Sequence, residues 1–455
     1  MTDAKIAVSL ARLVKDAGGR AFYVGGCVRD RLLGTENKDI DIEVHGVTPE
    51  VLVQLLGTLG EVTSFGKSFG VFGLRHCGLD IALPRSERAF GPGHQDFECV
   101  FDPFIGTRQA ALRRDFTVNA LMQDILTGEI IDHFGGLRDL EDGVIRHMDD
   151  GRFAEDPLRV LRAAQFAARF GFTVAEGTVA VCRRMDLSAL SAERVFGELE
   201  KALLRAEHPS VFFTVLREMQ QLDCWFPEIR DLIGVPQPVK YHPEGDAWNH
   251  TMLVLDQAAL LRDGACGRGK TENPLGLMLS ALCHDLGKPA ATRVEADGRL
   301  HAFGHEEVGV EVADRFLSRI TNEKNLKQFV KNNVLLHMRP NMMAFQNAGQ
   351  KAFNKLFDRA VSPEDLLLVS RADILGSSMK AEDYAAAERL LWDRLAAYRE
   401  VMAQPGITGA DLIAAGFSPG ERFGEALSLA HQLQLAGVPR ERALPQVVAF
   451  LRRAE

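Results

Sequence analysis

GGCVRDRLLGTENKDIDIEVHG, residues 25–46, decides how the first part of this chain folds. In its second half Ile40, Ile42 and Val44 alternate with Asp39, Asp41 and Glu43. A period of two predicts a strand with one buried face, so Asp39 and Asp41 leave the same face. Carboxylates at that spacing repel unless positive charge sits between them, and a hard divalent cation such as Mg²⁺ is the usual solution. Just upstream, AFYVGG (21–26) is a β-rich run into a glycine turn, and the turn predicts backbone N–H groups of Gly25 and Gly26 free for phosphate oxygens. Arg29 follows on a short helical segment stopped by Gly34, and Asp80 in GLDIALPR (78–85) offers a third carboxylate from a neighbouring strand. Paired aspartates alone are more often a solvated face, and a Gly-Gly pair is usually just a turn. Together within 17 residues they point to phosphoryl or nucleotidyl transfer, with two cations activating the attacking oxygen and the leaving group.

Working outward, residues 1–20 read as an amphipathic helix, 49–60 as another, and 71–85 as a hairpin turning near Cys77-Gly78. The pattern from about 105 to 127 is helical, and GEIIDHFGG (128–136) is a strand and a turn. Beyond about 145 the strands stop, with helices expected over 155–170, 176–186, 191–206 and 209–223. Prolines at 227, 236, 238 and 243 mark a junction. The remainder reads as helical, interrupted by PGITG and FSPGERFG.

A chain of 455 residues is too long for one core. With 46% hydrophobic and 25% charged residues it is not a mainly disordered chain, and no apolar run approaches the ~18–20 residues of a membrane-spanning helix. Seven scattered cysteines without a C-x-x-C spacing read as reduced thiols of a cytoplasmic protein. The net charge of −9 is not the footprint of a protein that coats nucleic acid. Residues 106–170 hold nine arginines and eleven acidic residues, so any grip on RNA must come from placed side chains rather than a broad field.

GGCVRDRLLG with KDIDI, then RRDFTVNAL (113–121), then EDPLRVLRAAQFAARFGF (155–172), in that order, resemble the class II tRNA nucleotidyltransferases and bacterial poly(A) polymerases. The resemblance implies an α+β fold, with a nucleotidyltransferase head built on a small mixed sheet and an elongated all-helical neck, body and tail. It implies that Asp39 and Asp41 hold Mg²⁺ with Asp80 assisting, and that Gly25, Gly26 and Arg29 face the triphosphate. Arg114, Asp115 and Asn119 would contact the nucleotide's phosphates and sugar, and the 155–172 motif would read the incoming base. With Pro157 at the first helical position, Asp156 lies at or next to the N-cap and shares a helix face with Arg159. A carboxylate accepts the exocyclic amine of cytosine or adenine, and arginine donates to ring nitrogens and the cytosine carbonyl. The plain alternative is that Asp156 only caps the helix while Arg159 pairs with Glu155. Arg162, one turn on, could reach the triphosphate. The chain departs from the family pattern at Gln165, where an arginine is expected, and at His133, where proline is usual. The segment 407–427, ITGADLIAAGFSPGERFGEAL, looks like the family's C-terminal element that helps hold the tRNA body; an ordinary helix pair is the equal alternative.

A second constellation lies further on. His250 begins a helical run, His284-Asp285 ends another in LCHDLGK, and Asp373 sits in SRADILG. This order resembles the HD metal-dependent phosphohydrolase signature, and imidazole with carboxylate suits a divalent transition metal as well as Mg²⁺. His305 and His337 are spaced as ligands of a second metal, while His242 and His301 read as loop histidines.

The expected organisation is a head over 1–145, a helical neck and body over 146–245, an HD domain over 246–380 and a helical tail over 381–455. The expected function is template-independent addition of CCA to the tRNA 3′ end from CTP and ATP, with phosphohydrolase activity in the HD domain. CC-only, A-only or poly(A) addition stays open, as does an HD phosphohydrolase with the head as an RNA or nucleotide sensor, or an RNA-binding protein with both sites as relics. No membrane or DNA partner is expected.

Overall fold

The computed structural model describes residues 2–35, 40–65, 71–89, 97–240, 242–264, 269–297, 299–377 and 380–452. They form two compact units, Met1–Glu198 with Val211–Gln221, and Leu199–Ser210 with Leu222–Glu455.

The first unit is mixed α and β. Its strands are β1 (Arg20–Val24), β2 (Ile40–His45), β3 (Val62–Phe65), β4 (Val71–Leu74), β5 (Leu79–Ala82), β6 (Arg85–Ala89), β7 (Phe97–Phe101), β8 (Met122–Asp124) and β9 (Ile130–Ile131). Seven of them make one sheet, in the order β3-β4-β5-β2-β1-β8-β9, and β6 pairs with β7 alone. Within the sheet β2 and β5 run parallel while β1 is antiparallel to both β2 and β8. Ile42, Val44 and Ile81 pack with Leu10 and Val14 of the helix Asp3–Asp16 and with Leu52 and Leu56 of the helix Pro49–Gly57. Burying one such side chain contributes roughly 1.5–3 kcal/mol. A one-residue slip of β2 would turn Ile42 and Val44 out of this core, so the register is pinned and the odd-numbered residues are held on the other face.

Two expectations are corrected. The stretch 105–127 is helical only over Thr107–Leu112, followed by a 3-10 turn at Thr117–Asn119 and then β8. Asp115 accepts the Phe116 backbone N–H at 2.9 Å, a local bond that competes with helix continuation, and Met122 to Asp124 pair with β1 instead. Strands also do not stop at 145: Val144–Ile145 pairs with Thr173–Val174, and Arg293–Val294 with Leu300–His301. Two-residue strands carry no readable period.

Among its described residues the second unit is helical apart from that last hairpin. The helices Ala247–Arg262, Pro274–Cys283, His305–Ile320, Lys324–Leu336 and Pro363–Leu375 share a core that includes Leu255, Leu279, Phe316, Val330 and Leu368, all 1% exposed or less. Ala381–Ala403, Gly409–Ala414, Glu421–Leu435 and Arg440–Arg452 follow. Among the described residues no helix is long and apolar enough to cross a membrane, and Cys27, Cys77, Cys182 and Cys283 form no disulfide.

Candidate active sites

In the head, Asp41 and Asp80 are register partners on the parallel strands β2 and β5, so both carboxylates leave one face of the sheet side by side. Asp80 is exposed and Asp41 half-buried. Asp39 lies outside the described residues. Two neighbouring hard oxygen donors that water can reach fit a Mg²⁺-type cation.

Gly25 follows β1 with φ +64°, a conformation that favours glycine, and a Cβ there would lie 2.7 Å from Nη1 of Arg114. The sequence predicts a free N–H at Gly25; instead it donates to the Leu121 carbonyl at 3.3 Å. The Cys27 thiol bonds the Asp41 backbone, which ties this turn to β2. Arg114 therefore sits at the turn, with its Nη2 3.8 Å from Glu43. Burial and the neighbouring Arg113 push its pKa down, while Glu43, Asp41 and Asp115 pull it back up.

Arg29 departs from its expected place at the triphosphate. It is 3% exposed, donates to Asp30 at 2.8 Å and to Asn119 at 2.5 Å, and lies against the rings of Phe166 and Phe170. Asn119 in turn donates to Asp115 at 2.8 Å, and Asp115 accepts from Arg162 at 2.7 Å. Burial alone would raise the Asp115 pKa, but Arg162 and Asn119 hold it below the usual carboxylate range. Arg29, Asn119, Asp115 and Arg162 thus form one chain of bonds, buried up to the partly exposed Arg162, linking the RRDFTVNAL segment to the helix Leu158–Phe170. Gln165, the departure from pattern, is 1% exposed within that helix.

Asp156 and Arg159 do not pair with each other, nor is Arg159 paired with Glu155. Asp156 accepts the Leu158 backbone N–H at 3.1 Å and two bonds from Arg194, at 2.9 and 3.0 Å. Arg159 donates to the carbonyls of Arg152 at 2.5 Å and Arg113 at 3.3 Å. Arg194 was invisible to sequence reasoning because it lies 38 residues away on another helix.

The second unit gathers its histidines at helix ends. His284, His305 and His337 each donate from Nδ1 to the carbonyl three residues earlier, at 2.8, 2.8 and 2.7 Å. In the neutral ring that bond sets the tautomer and leaves a lone pair on Nε2 for a metal. The Nε2 atoms of His305 and His337 then face one another at 3.4 Å, two acceptors at a distance where each is best satisfied by a shared cation. Burial, with His284 and His305 beside it, pushes His337 down to about 3, so it stays neutral. His250 sits 3.3 Å from His284, 3.0 Å from Asp373 and 2.9 Å from Glu244. Burial opposes its charged form, but the bonds to Asp373 and Glu244 prevail and lift it to about 9. A metal at Nε2 would displace that proton.

Asp285 lies between the two groups, its Oδ2 3.2 Å from His284 and its Oδ1 3.3 Å from His305. His284, Lys288 and His305 hold its carboxyl well below the usual range against burial, and Lys288 reaches it at 2.6 Å. The donor atoms of His250, His284 and Asp373 lie within 4.8 Å of one another, as do those of Asp285, His305 and His337. Mixed imidazole and carboxylate donors in both groups fit divalent metals. Gly287 makes the packing possible: a Cβ there would meet the His305 carbonyl oxygen at 2.0 Å.

His242 is more than a loop histidine. It donates to Glu244 at 2.8 Å and its ring lies 4.7 Å from that of His250, edge to face. Glu244 and Lys288 belong to the cluster too, and the sequence offered a signal in their adjacency to YHPEGDAWNH and LCHDLGK. His301 stays apart, bonded to Glu295 and stacked on Phe303.

With this geometry in hand, the chain compares clearly with known proteins. Residues 21–146 match the Poly A polymerase head domain, 171–233 the probable RNA and SrmB-binding site of polymerase A, and 247–377 the HD domain. A CCA-adding enzyme solved in an apo form shares the fold at TM-score 0.67 and 21% identity, covering 98% of this chain and 95% of its own. The Thermotoga maritima CCA-adding enzyme complexed with tRNA does so at TM-score 0.63 and 22% identity, covering 99% of each. Other CCA-adding enzymes of this fold were solved with ATP or CTP. The class is thus a nucleotidyltransferase head followed by an HD domain. The multifunctional CCA protein of Pasteurella multocida is 39% identical over 412 residues, 88% of this chain and 92% of that protein, and the chain belongs to the multifunctional CCA protein family.

Proposed function

We propose that this chain completes tRNA 3′ ends in the cytoplasm by adding C, C and A from CTP and ATP with release of pyrophosphate, and that its HD cluster hydrolyses phosphate esters. The observation that carries the first reading is the pairing of Asp41 with Asp80 on one sheet face beside the Gly25 turn and Arg114. Asp39, Asp41 and Asp80 would hold Mg²⁺, which supplies charge to lower the pKa of the attacking 3′-hydroxyl and to neutralise the leaving pyrophosphate. Arg114 receives the triphosphate at the turn. Asp115, Asn119 and Arg162 hold the nucleotide's position through their shared bonds, with Arg29 bracing Asn119 from beneath rather than touching phosphate. Asp156 accepts an exocyclic amine and Arg159 donates to the base, with Arg194 fixing the carboxylate. Uracil and guanine do not offer the same edge. The regions 1–145, 146–245, 246–380 and 381–455 serve as head, neck and body, HD domain and tail.

For the second reading, His250, His284, Asp285 and Asp373 would hold one divalent metal and Asp285, His305 and His337 another. Bound there, a transition metal or Mg²⁺ would activate water and polarise a phosphate ester. Lys288 steadies the Asp285 carboxylate and Glu244 orients His250.

The test uses purified protein, Mg²⁺ and a tRNA transcript ending at the discriminator base. Two additions with CTP, and a third only when ATP is also present, are expected; a stop after CC would mean a split pathway. No addition to any tRNA end would overturn the transferase reading and leave the HD site as the working enzyme.

A further inference from the structure

The strand that carries Asp41 carries one more carboxylate on the same face. Glu43 lies two residues on, as the next step of the Asp39, Asp41 series, and by spacing alone it would be a third metal ligand. The structure gives it other work. Glu43 is 2% exposed, and both oxygens are taken: Oε1 lies 2.9 Å from His45 Nε2, and Oε2 lies 3.2 Å from Arg113 and 3.8 Å from Arg114. Its neighbour across the parallel pair is Ala82, where Asp41 has Asp80. The small side chain leaves the guanidiniums room where the metal site has a carboxylate.

Arg114 spans the gap between these groups. Nη2 faces Glu43, while Nη1 lies against Gly25, where no Cβ blocks it. A long arginine side chain has rotamer entropy to lose on binding, so an arginine at a phosphate turn works best when something already holds it.

We infer that Glu43 is a positioning residue for nucleotidyl transfer: from the floor of the head it holds the Arg114 guanidinium at the Gly25 turn, where the triphosphate is received. The inference rests on the transferase reading above. It predicts that loss of the Glu43 charge weakens nucleotide binding and spares the chemical step, because Glu43 touches neither the hydroxyl nor the metal ligands.

The experiment compares wild type, Glu43→Gln, Glu43→Asp, Arg114→Lys and the double variant Glu43→Gln/Arg114→Lys, in the full chain. CTP affinity is measured by calorimetry in Mg²⁺, and KM and kcat for CTP by single-nucleotide addition to tRNA. Glu43→Gln is expected to raise Kd and KM about tenfold, with kcat changed less than about threefold. Glu43→Asp, which keeps the charge, is expected to recover part of the loss. In the double variant the Gln substitution is expected to add almost nothing to Arg114→Lys, since interacting residues are not additive. Additive losses, an unchanged Kd, or a fall in kcat with KM intact would overturn the inference and leave Glu43 a purely structural ion pair. If Glu43→Gln does not fold, Glu43→Asp alone decides, because the shorter carboxylate must still raise Kd. If wild type binds CTP but extends no tRNA, the transferase reading falls while Kd still judges Glu43. If wild type does not bind CTP at all, both fall.

Discussion

The two candidate metal sites reach similar chemistry by opposite routes. In the head, the carboxylates stand on two adjacent strands, and Asp80 is exposed. In the HD unit, His250, His284 and His337 are 0% exposed and come from the ends of separate helices. A sheet face offers side-by-side oxygens that water and a polyanionic substrate can reach. Helix ends offer imidazoles already turned by their own backbone carbonyls, at the cost of burying groups whose protonation then depends on one another. The first arrangement suits a cation that arrives and leaves with a nucleotide, the second a cation that stays.

The largest effects should come from breaking each site separately. Asp41→Ala is expected to lower CCA addition by about 10²–10³-fold while leaving HD-dependent phosphate release intact, and His284→Ala to do the reverse. Both activities measured on each variant check this, and loss of both activities from either change would erase the distinction between the sites. A smaller effect should separate metal retention. Glu244→Gln removes the charge that orients His250, and metal affinity measured by competition with a chelator should fall about 10–100-fold, with nucleotide addition unchanged.

Acid should then divide the two regions of the metal-free protein. His337 is held at about 3 against an ordinary 6.5. The unfolded chain binds that proton first, so stability is full above 6.5 and is lost as pH falls from 6.5 towards 3. His250, lifted to about 9, works the other way: its contribution is full below 6.5 and is lost as pH rises through 9. The metal-free HD unit should therefore be most stable near pH 6.5. The head's Glu43, lowered from 4.5 to about 2 by His45, Arg114 and Arg113 against burial, contributes fully above 4.5 and loses that contribution only as pH falls towards 2. Hydrogen exchange followed from pH 8 to pH 4 should show the HD helices opening before β1 and β2. Simultaneous opening would mean that these groups do not set the order.

Much of this was legible early. Asp41 and Asp80 sit where the alternating pattern put them, and His250, His284, Asp285, His305, His337 and Asp373 do converge. Arg29 follows the glycine turn in sequence, whereas its side chain is buried against Asp30, Asn119 and two phenylalanines, partners that the motif does not reveal. Asp156 lies just ahead of the helix Leu158–Phe170 rather than on its face with Arg159, and each residue has its partner elsewhere: Arg194 for one, backbone carbonyls for the other.

The sequence by itself determined which face of β2 is polar, where most of the longer helices run and which residue types could hold metal, because periodicity and residue chemistry act over a few neighbouring positions. Only the tertiary structure decided that Glu43 holds arginines rather than metal, that Arg29 is buried, and that Glu244 and His242 join the histidines. Those outcomes depend on which distant group reaches a buried charge first, and a buried charge must find a partner wherever the fold supplies one.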